Sequence, residues 1–211
     1  CGLYVNNTQE RKKLVDEAID FVGLNNYASF RAKKLSGGLL RRLNIACGIA
    51  HKPELIFLDE PTVAVDAQSR NFILSGIKEL AKRGSTIVYT THYLEEVEEL
   101  CDRIIIMDEG RDIANGTLEE LHKLIRTSEK MVVEFVETKD NLQEELKKIP
   151  HVLEVTKNGN EFLISFENSI NNLNELILFI NNNSLAYTKL YSELPSLNDI
   201  FLELTGKELR D

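Results

Sequence analysis

The run Leu55-Ile56-Phe57-Leu58 closes on Asp59-Glu60-Pro61. Two carboxylates at the polar end of an apolar strand can divide the work of phosphoryl transfer. One holds Mg2+ through its water shell, and the other orients or deprotonates an attacking water. A solvated acidic pair at a strand end is the plainer alternative. His92 follows a second apolar stretch, Thr86-Ile87-Val88-Tyr89-Thr90, and can reach the same centre, although a lone histidine there also reads as structural or exposed. Leu35-Ser36-Gly37-Gly38 opens a helical pattern. There a hydroxyl, two residues without side chains and uncapped N–H groups meet the positive end of the helix dipole, which suits an anion. Taken alone, serine followed by glycines is also commonly just a helix cap.

The elements that must position these groups follow from hydrophobic period. Residues 9–22 place Leu14, Ala18, Phe21 and Val22 near one helical face, ending near Gly23. The helix opened by Ser36-Gly37-Gly38 is carried by Leu39, Leu40, Leu43, Ile45, Ala46 and Ile49 and stopped by Pro53. The 55–58 run reads as a buried parallel strand whose polar end faces a ligand. A helix over 67–83, a break at Gly84, a buried strand over 86–90, a helix over 94–101 and a strand over 103–107 follow. That alternation predicts a parallel sheet with helices on its faces. Asp108-Glu109-Gly110 predicts a hairpin turn into 111–115, and a polar helix is expected over 117–126.

Beyond Thr127-Ser128 the pattern changes. Strand 131–137, helix 140–148, strand 152–157, the turn Asn158-Gly159, strand 161–166, helix 170–181 and strand 186–191 give a β-α-β-β-α-β order, with a short helix over 197–205. This is the order of a small α+β, ferredoxin-like module.

Composition narrows the function. A chain of 211 residues with 43% hydrophobic content can bury a core. A net charge of -9 speaks against a nucleic-acid partner, which wants clustered Lys and Arg. No apolar run approaches the roughly 20 residues that cross a bilayer, so a cytoplasmic setting is expected. Cys1, Cys47 and Cys101 have no metal-type spacing, and Cys47 and Cys101 are expected to pack as small apolar groups.

Order and spacing join the motifs. Leu35-Ser36-Gly37-Gly38, Leu55-Ile56-Phe57-Leu58-Asp59-Glu60-Pro61-Thr62, Val63-Ala64-Val65-Asp66 and Thr90-Thr91-His92 resemble, in sequence order, the signature motif, Walker B motif, D-loop and switch histidine of ABC transporter ATPases. The resemblance continues through residues 95–103 and 107–111 and covers roughly 1–126. Pro195-Ser196-Leu197-Asn198-Asp199-Ile200-Phe201 and 205–211 resemble the tail of ATPases serving ABC-2-type exporters. Ala64 stands where that subfamily commonly has glycine, and Leu39 where Gln or Met is usual after Ser-Gly-Gly.

The resemblance implies an α/β fold: an incomplete P-loop NTPase (RecA-like) parallel sheet with part of the ABC helical subdomain. Residues 1–127 would be ATPase domain, with a helical remnant over 1–52 and the Walker B to switch-histidine stretch over 53–126; residues 128–211 would be the accessory module. Ser36, Gly37 and Gly38 would contact the γ-phosphate of ATP held by a partner subunit. Asp59 would hold Mg2+, Glu60 would act as base on water, His92 would stabilise the γ-phosphate, and Asp66 would bridge a dimer interface. The implied partners are a second ATPase subunit, as a homo- or heterodimer, and ABC-2-type membrane permease subunits. Through the permease the chain would lie peripherally on the inner face of the cell membrane.

The phosphate-cradling P-loop, Gly-x-x-x-x-Gly-Lys-Ser/Thr, does not occur here, and the Gly206-Lys207 pair runs into Glu208. The expectation is therefore an N-terminally truncated fragment, inactive alone, whose 103–107 strand lacks its sheet neighbour. The alternative is a non-catalytic interaction module that supplies Ser36-Gly37-Gly38 to a partner's ATP.

Overall fold

The computed structural model describes residues 1–139, 141–167 and 169–206. Its contacts divide the chain into two units, Cys1–Cys101 and Asp102–Asp211. Asp140, expected to begin a helix, and Lys207-Glu208-Leu209-Arg210-Asp211 of the resembling tail lie outside the described residues.

In the first unit, Asn7 accepts the N–H groups of Gln9 and Glu10 and caps α1 (Thr8–Phe21). α2 (Gly37–Ile49) starts at its Ser36 cap, as the glycines predict. It ends four residues before Pro53, in a turn that holds Lys52 at φ 53°. β1 (Leu55–Asp59) and β2 (Thr86–Thr90) pair in parallel, from Leu55 opposite Thr86 to Asp59 opposite Thr90. Between them runs α3 (Ala67–Lys82), and α4 (Leu94–Leu100) follows. The core gathers Ala18, Val22 and Leu24 at the end of α1, Ala46, Ile49 and Ala50 of the α2 end, Ile56 and Leu80.

Two expectations are corrected here. The 55–58 run predicted a strand buried on both faces, yet only the Ile56 face is covered. Leu55, Phe57 and Val88 are exposed, Phe57 at 71%. An apolar run demands cover on both sides only where a layer packs on each, and among the described residues none lies over Phe57. Cys47, expected to be packed, is exposed, because α2 turns Ala46, Ile49 and Ala50 inward and leaves Cys47 off that stripe.

The second unit opens with β3 (Ile104–Asp108), which pairs antiparallel with β4 (Arg111–Gly116) in a two-stranded sheet of its own. The single parallel sheet predicted over 55–107 is thus two separate sheets. The hairpin expected at Asp108-Glu109-Gly110 forms, since Glu109 at φ 49° and Gly110 at φ 74° give the twist that folds a chain directly back. Among the described residues β3 has β4 as its strand partner.

The helix expected over 117–126 forms only as α5 (Leu118–His122), inside a Thr117–Glu120 capping box. After a turn over 123–126, β5 (Thr127–Phe135) begins four residues sooner than the apolar pattern indicates. Pairing with Glu167 and Phe166 draws the polar residues Thr127 and Glu129 into the ladder. α6 (Leu142–Leu146), β6 (Val152–Asn158), β7 (Glu161–Glu167), α7 (Asn172–Asn182), β8 (Tyr187–Glu193) and α8 (Leu197–Thr205) complete the chain.

The sheet order β6-β7-β5-β8, antiparallel throughout, is what two interleaved β-α-β crossovers produce, so the ferredoxin-like topology holds. Alternate residues Met131, Val133 and Phe135 of β5 and Phe162, Ile164 and Phe166 of β7 face Leu142, Leu146, Leu176 and Ile180 of the helices, and together they form the core.

Candidate functional site

The parallel pairing of β1 with β2 continues one residue past the strand, since the Glu60 N–H donates to the Thr90 carbonyl at 3.1 Å. The Thr90 hydroxyl donates to Asp59 Oδ1 at 2.5 Å. Asp59 and Glu60 are thereby held at the C-terminal edge of the sheet, where ligands bind in open α/β sheets. The chain then turns sharply: Glu60 sits at φ 46°, in the left-handed region that a residue with a Cβ adopts only when its surroundings demand it. The turn brings Glu60 Oε1 to 3.0 Å from His92 Nδ1, two residues beyond β2. Both side chains remain partly open, at 37% and 40% exposure. The second carboxylate oxygen, Glu60 Oε2, is shielded from solvent and has no hydrogen-bond partner among the described residues. An orphaned acceptor of this kind calls for an explanation, and a bound reactant is one.

The second group lies where α2 meets α3. Ser36 Oγ accepts the Leu39 N–H at 3.3 Å, so its hydroxyl acts as a helix cap. Gly37 is exposed, and a Cβ there would find no atom nearer than the Ala64 carbonyl at 3.9 Å. Gly38 is buried, and a Cβ on it would stand 2.2 Å from Ser69 Oγ and 2.8 Å from Asp66 Oδ2. The close approach of the two helix starts therefore requires glycine. Asp66 caps α3, taking the Ser69 N–H at 2.8 Å and the Ser69 hydroxyl at 2.9 Å. Those bonds, with Arg42 adding a weaker pull, hold its carboxyl below the usual carboxylate range.

The residues singled out from sequence thus form two groups: Asp59, Glu60 and His92 at the strand ends, and Ser36, Gly37, Gly38 and Asp66 at the helix starts. No hydrogen bond joins them among the described residues.

Sequence reasoning missed Glu96. This side chain is only 1% exposed. Its Oε2 accepts the hydroxyls of Tyr89 at 2.5 Å, Thr62 at 3.0 Å and Thr91 at 3.1 Å, and its Oε1 accepts Arg70 Nε at 2.7 Å. Desolvation, reinforced by Glu96, pushes the Tyr89 phenol well above its ordinary value. The available signal was faint: Tyr89 and Thr91 alternate along one strand face, and a first-turn glutamate follows.

Comparison with known proteins agrees with these motifs. Residues 3–63 match the family model described as "ABC transporter", and residues 116–205 match "ATP-binding protein DrrA1-3-like, C-terminal domain". The chain is 37% identical to the linearmycin resistance ATP-binding protein LnrL of Bacillus subtilis (strain 168), over 96% of this chain and 66% of that protein. It is 34% identical to the Nod factor export ATP-binding protein I of Rhizobium meliloti, over 97% of this chain and 58% of that protein. It spans, then, only part of each relative's length. A solved structure titled as the ATP binding subunit of an ABC transporter superposes with a TM-score of 0.50 at 25% identity, covering 56% of this chain and 49% of that one.

Proposed function

The chain belongs to the ATP-binding proteins of ABC transporters, and from that premise we propose that it is the part of an exporter's ATPase subunit that carries the hydrolytic carboxylate. The observation that carries this reading is the Glu60–His92 contact, with Glu60 Oε2 left unpartnered beside it at the sheet's polar edge. Glu60 is the general base: Oε1 stays engaged by His92, and Oε2, closed to bulk solvent in this arrangement, would take the proton of a water admitted with the nucleotide. With Nδ1–H given to Glu60, Nε2 is the nitrogen that His92 has left for the γ-phosphate of ATP, to which it donates only when the ring carries a proton on both nitrogens.

Asp59 suits Mg2+, a hard cation held through one or two carboxylates, its own waters and substrate phosphates. It does not need the cluster of three or more His, Cys, Asp or Glu that is lacking among the described residues. Bound there, the ion would neutralise charge developing on the phosphate oxygens. Ser36, Gly37 and Gly38 present a helix start with open space above Gly37, which fits the γ-phosphate of ATP held by a second ATPase subunit. Asp66, which caps α3 beside this helix start, would bridge the dimer interface. Export would follow from opening and closing of such a dimer on ABC-2-type permease subunits. Among the described residues no helix is long and apolar enough to cross a membrane.

ATP turnover tests the proposal. The chain by itself should hydrolyse ATP no faster than its Glu60→Gln variant. In a longer protein that adds the P-loop, Glu60→Gln should lower turnover by ~10²–10⁴-fold while ATP binding persists. Mg2+-dependent turnover in the chain alone that Glu60→Gln abolishes would overturn its inactivity, and near-normal turnover in the longer variant would remove Glu60 from the role of base.

A further inference from the structure

We propose that Glu96 is the positioning residue that sets the Glu60–His92 pair, through the hydroxyls of Thr62 and Thr91. The inference rests on the reading of Glu60 and His92 as the hydrolytic pair. Glu60 and His92 stand on separate turns at the ends of β1 and β2, each partly exposed, and backbone pairing reaches only as far as Glu60. Beyond that point one buried carboxylate oxygen spans the gap. Thr62, two residues after Glu60, and Thr91, immediately before His92, both donate to Glu96 Oε2. Tyr89 donates to the same oxygen from within β2, and Arg70 fixes the other oxygen from α3 while its guanidinium lies 4.6 Å from the Tyr93 ring centroid. Thr91 Oγ1 also accepts the Tyr93 N–H at 3.0 Å, which shapes the turn carrying His92.

The chemistry of the set is one-directional. Four donors meet an acceptor-only group in a desolvated place, where an unpaired carboxylate is strongly disfavoured. The network is therefore satisfied only when both turns are seated on Glu96, and seating both turns is what brings Nδ1 to Oε1. Glu96 touches neither Glu60 nor His92 in this arrangement. It acts through the two threonines, so its influence should follow their hydroxyls.

Nuclear magnetic resonance of the 211-residue chain reads this directly. The through-space cross-peak between the Glu60 side chain and the His92 ring should be present in the parent and in Thr62→Ser/Thr91→Ser, which keeps both hydroxyls. It should be lost in Thr62→Val/Thr91→Val, which keeps the branched shape without them, while amide cross-peaks between β1 and β2 report that the fold persists. Should the paired valine variant fail to fold, Thr62→Val alone decides, because it leaves Tyr89, Thr91 and Arg70 on Glu96, and it should weaken the cross-peak. An undiminished cross-peak in a folded valine variant overturns the proposal, and so does its loss in the serine variant. The cross-peak reads the seating in the chain itself, and ATP turnover of Glu60→Gln reads the chemistry, so failure of either claim is told apart from failure of the other.

Discussion

Two neighbouring glycines of the same motif have different physical roles. Gly38 is required by packing, because a methyl group there would enter the space of Ser69 and Asp66, whereas Gly37 has room for one. Gly38→Ala should destabilise the first unit by about 1–3 kcal/mol, as overpacking does, and Gly37→Ala should leave the thermal midpoint near that of the parent. Equal midpoints for the two variants would contradict the close approach. Ala64 is a residue in the wrong conformational class, at φ 58° where glycine is at home. The left-handed region costs a residue with a Cβ roughly 1–2 kcal/mol, and the extra freedom of glycine in the unfolded chain returns about 0.4–1 kcal/mol of that. Ala64→Gly should therefore stabilise by up to ~1.6 kcal/mol in denaturant unfolding. Both residues were flagged by motif position in the sequence, but the distances that separate a packing glycine from an open one were not.

Among the elements, α8 shows how a tail segment is made to dock. Ser196 Oγ accepts the Asp199 N–H, Asp199 Oδ2 takes the Ser196 N–H at 2.8 Å, and Leu197 and Ile200 are fully buried. The segment 195–201, noticed in the sequence as a subfamily resemblance, is thus physically a capping box followed by two anchors. Asp199 Oδ1 also accepts from the mostly buried Lys130 at 2.9 Å. Burial pushes the Asp199 carboxyl upward, but Lys130 and Ser196 outweigh it and hold the group below its ordinary value. A carboxyl depressed by folding adds stability above its unfolded value of about 4, and that contribution fades as pH falls through the lower folded value. The second unit should lose stability below about pH 4, and Asp199→Asn should flatten that part of the profile while lowering the thermal midpoint at neutral pH. A profile unchanged by the substitution would detach Asp199 from α8 docking.

At the scale of the whole molecule, the β1–β2 sheet presents an apolar face that nothing covers among the described residues. Phe57 lies opposite Val88 in the register, Leu55 is on the same face, and all three are exposed. Contiguous apolar surface of this kind attracts hydrophobic ligands and other chains. The chain should therefore enhance the fluorescence of an apolar dye, and Phe57→Asp should reduce that signal without unfolding the unit, because the side chain supports little packing of its own. An unaltered dye response would place the sticky surface elsewhere.

By itself the sequence determined the elements, their order and the pairing of motifs with strand and helix ends. Period, caps and turns depend on residues a few positions apart: Ser36 before α2, Gly84 after α3, Glu109-Gly110 in the hairpin. It also determined the interleaved order of the second module, because two β-α-β crossovers leave few topologies open. Only the tertiary structure decided which face of 55–58 is covered, where β5 begins, and which of Glu95, Glu96, Glu98 and Glu99 is buried. Four acids on one short helix are alike to any local rule. Glu96 differs because Thr62, Arg70, Tyr89 and Thr91, supplied by other elements, converge on it, and the cost of burying a carboxylate is met only where such donors meet.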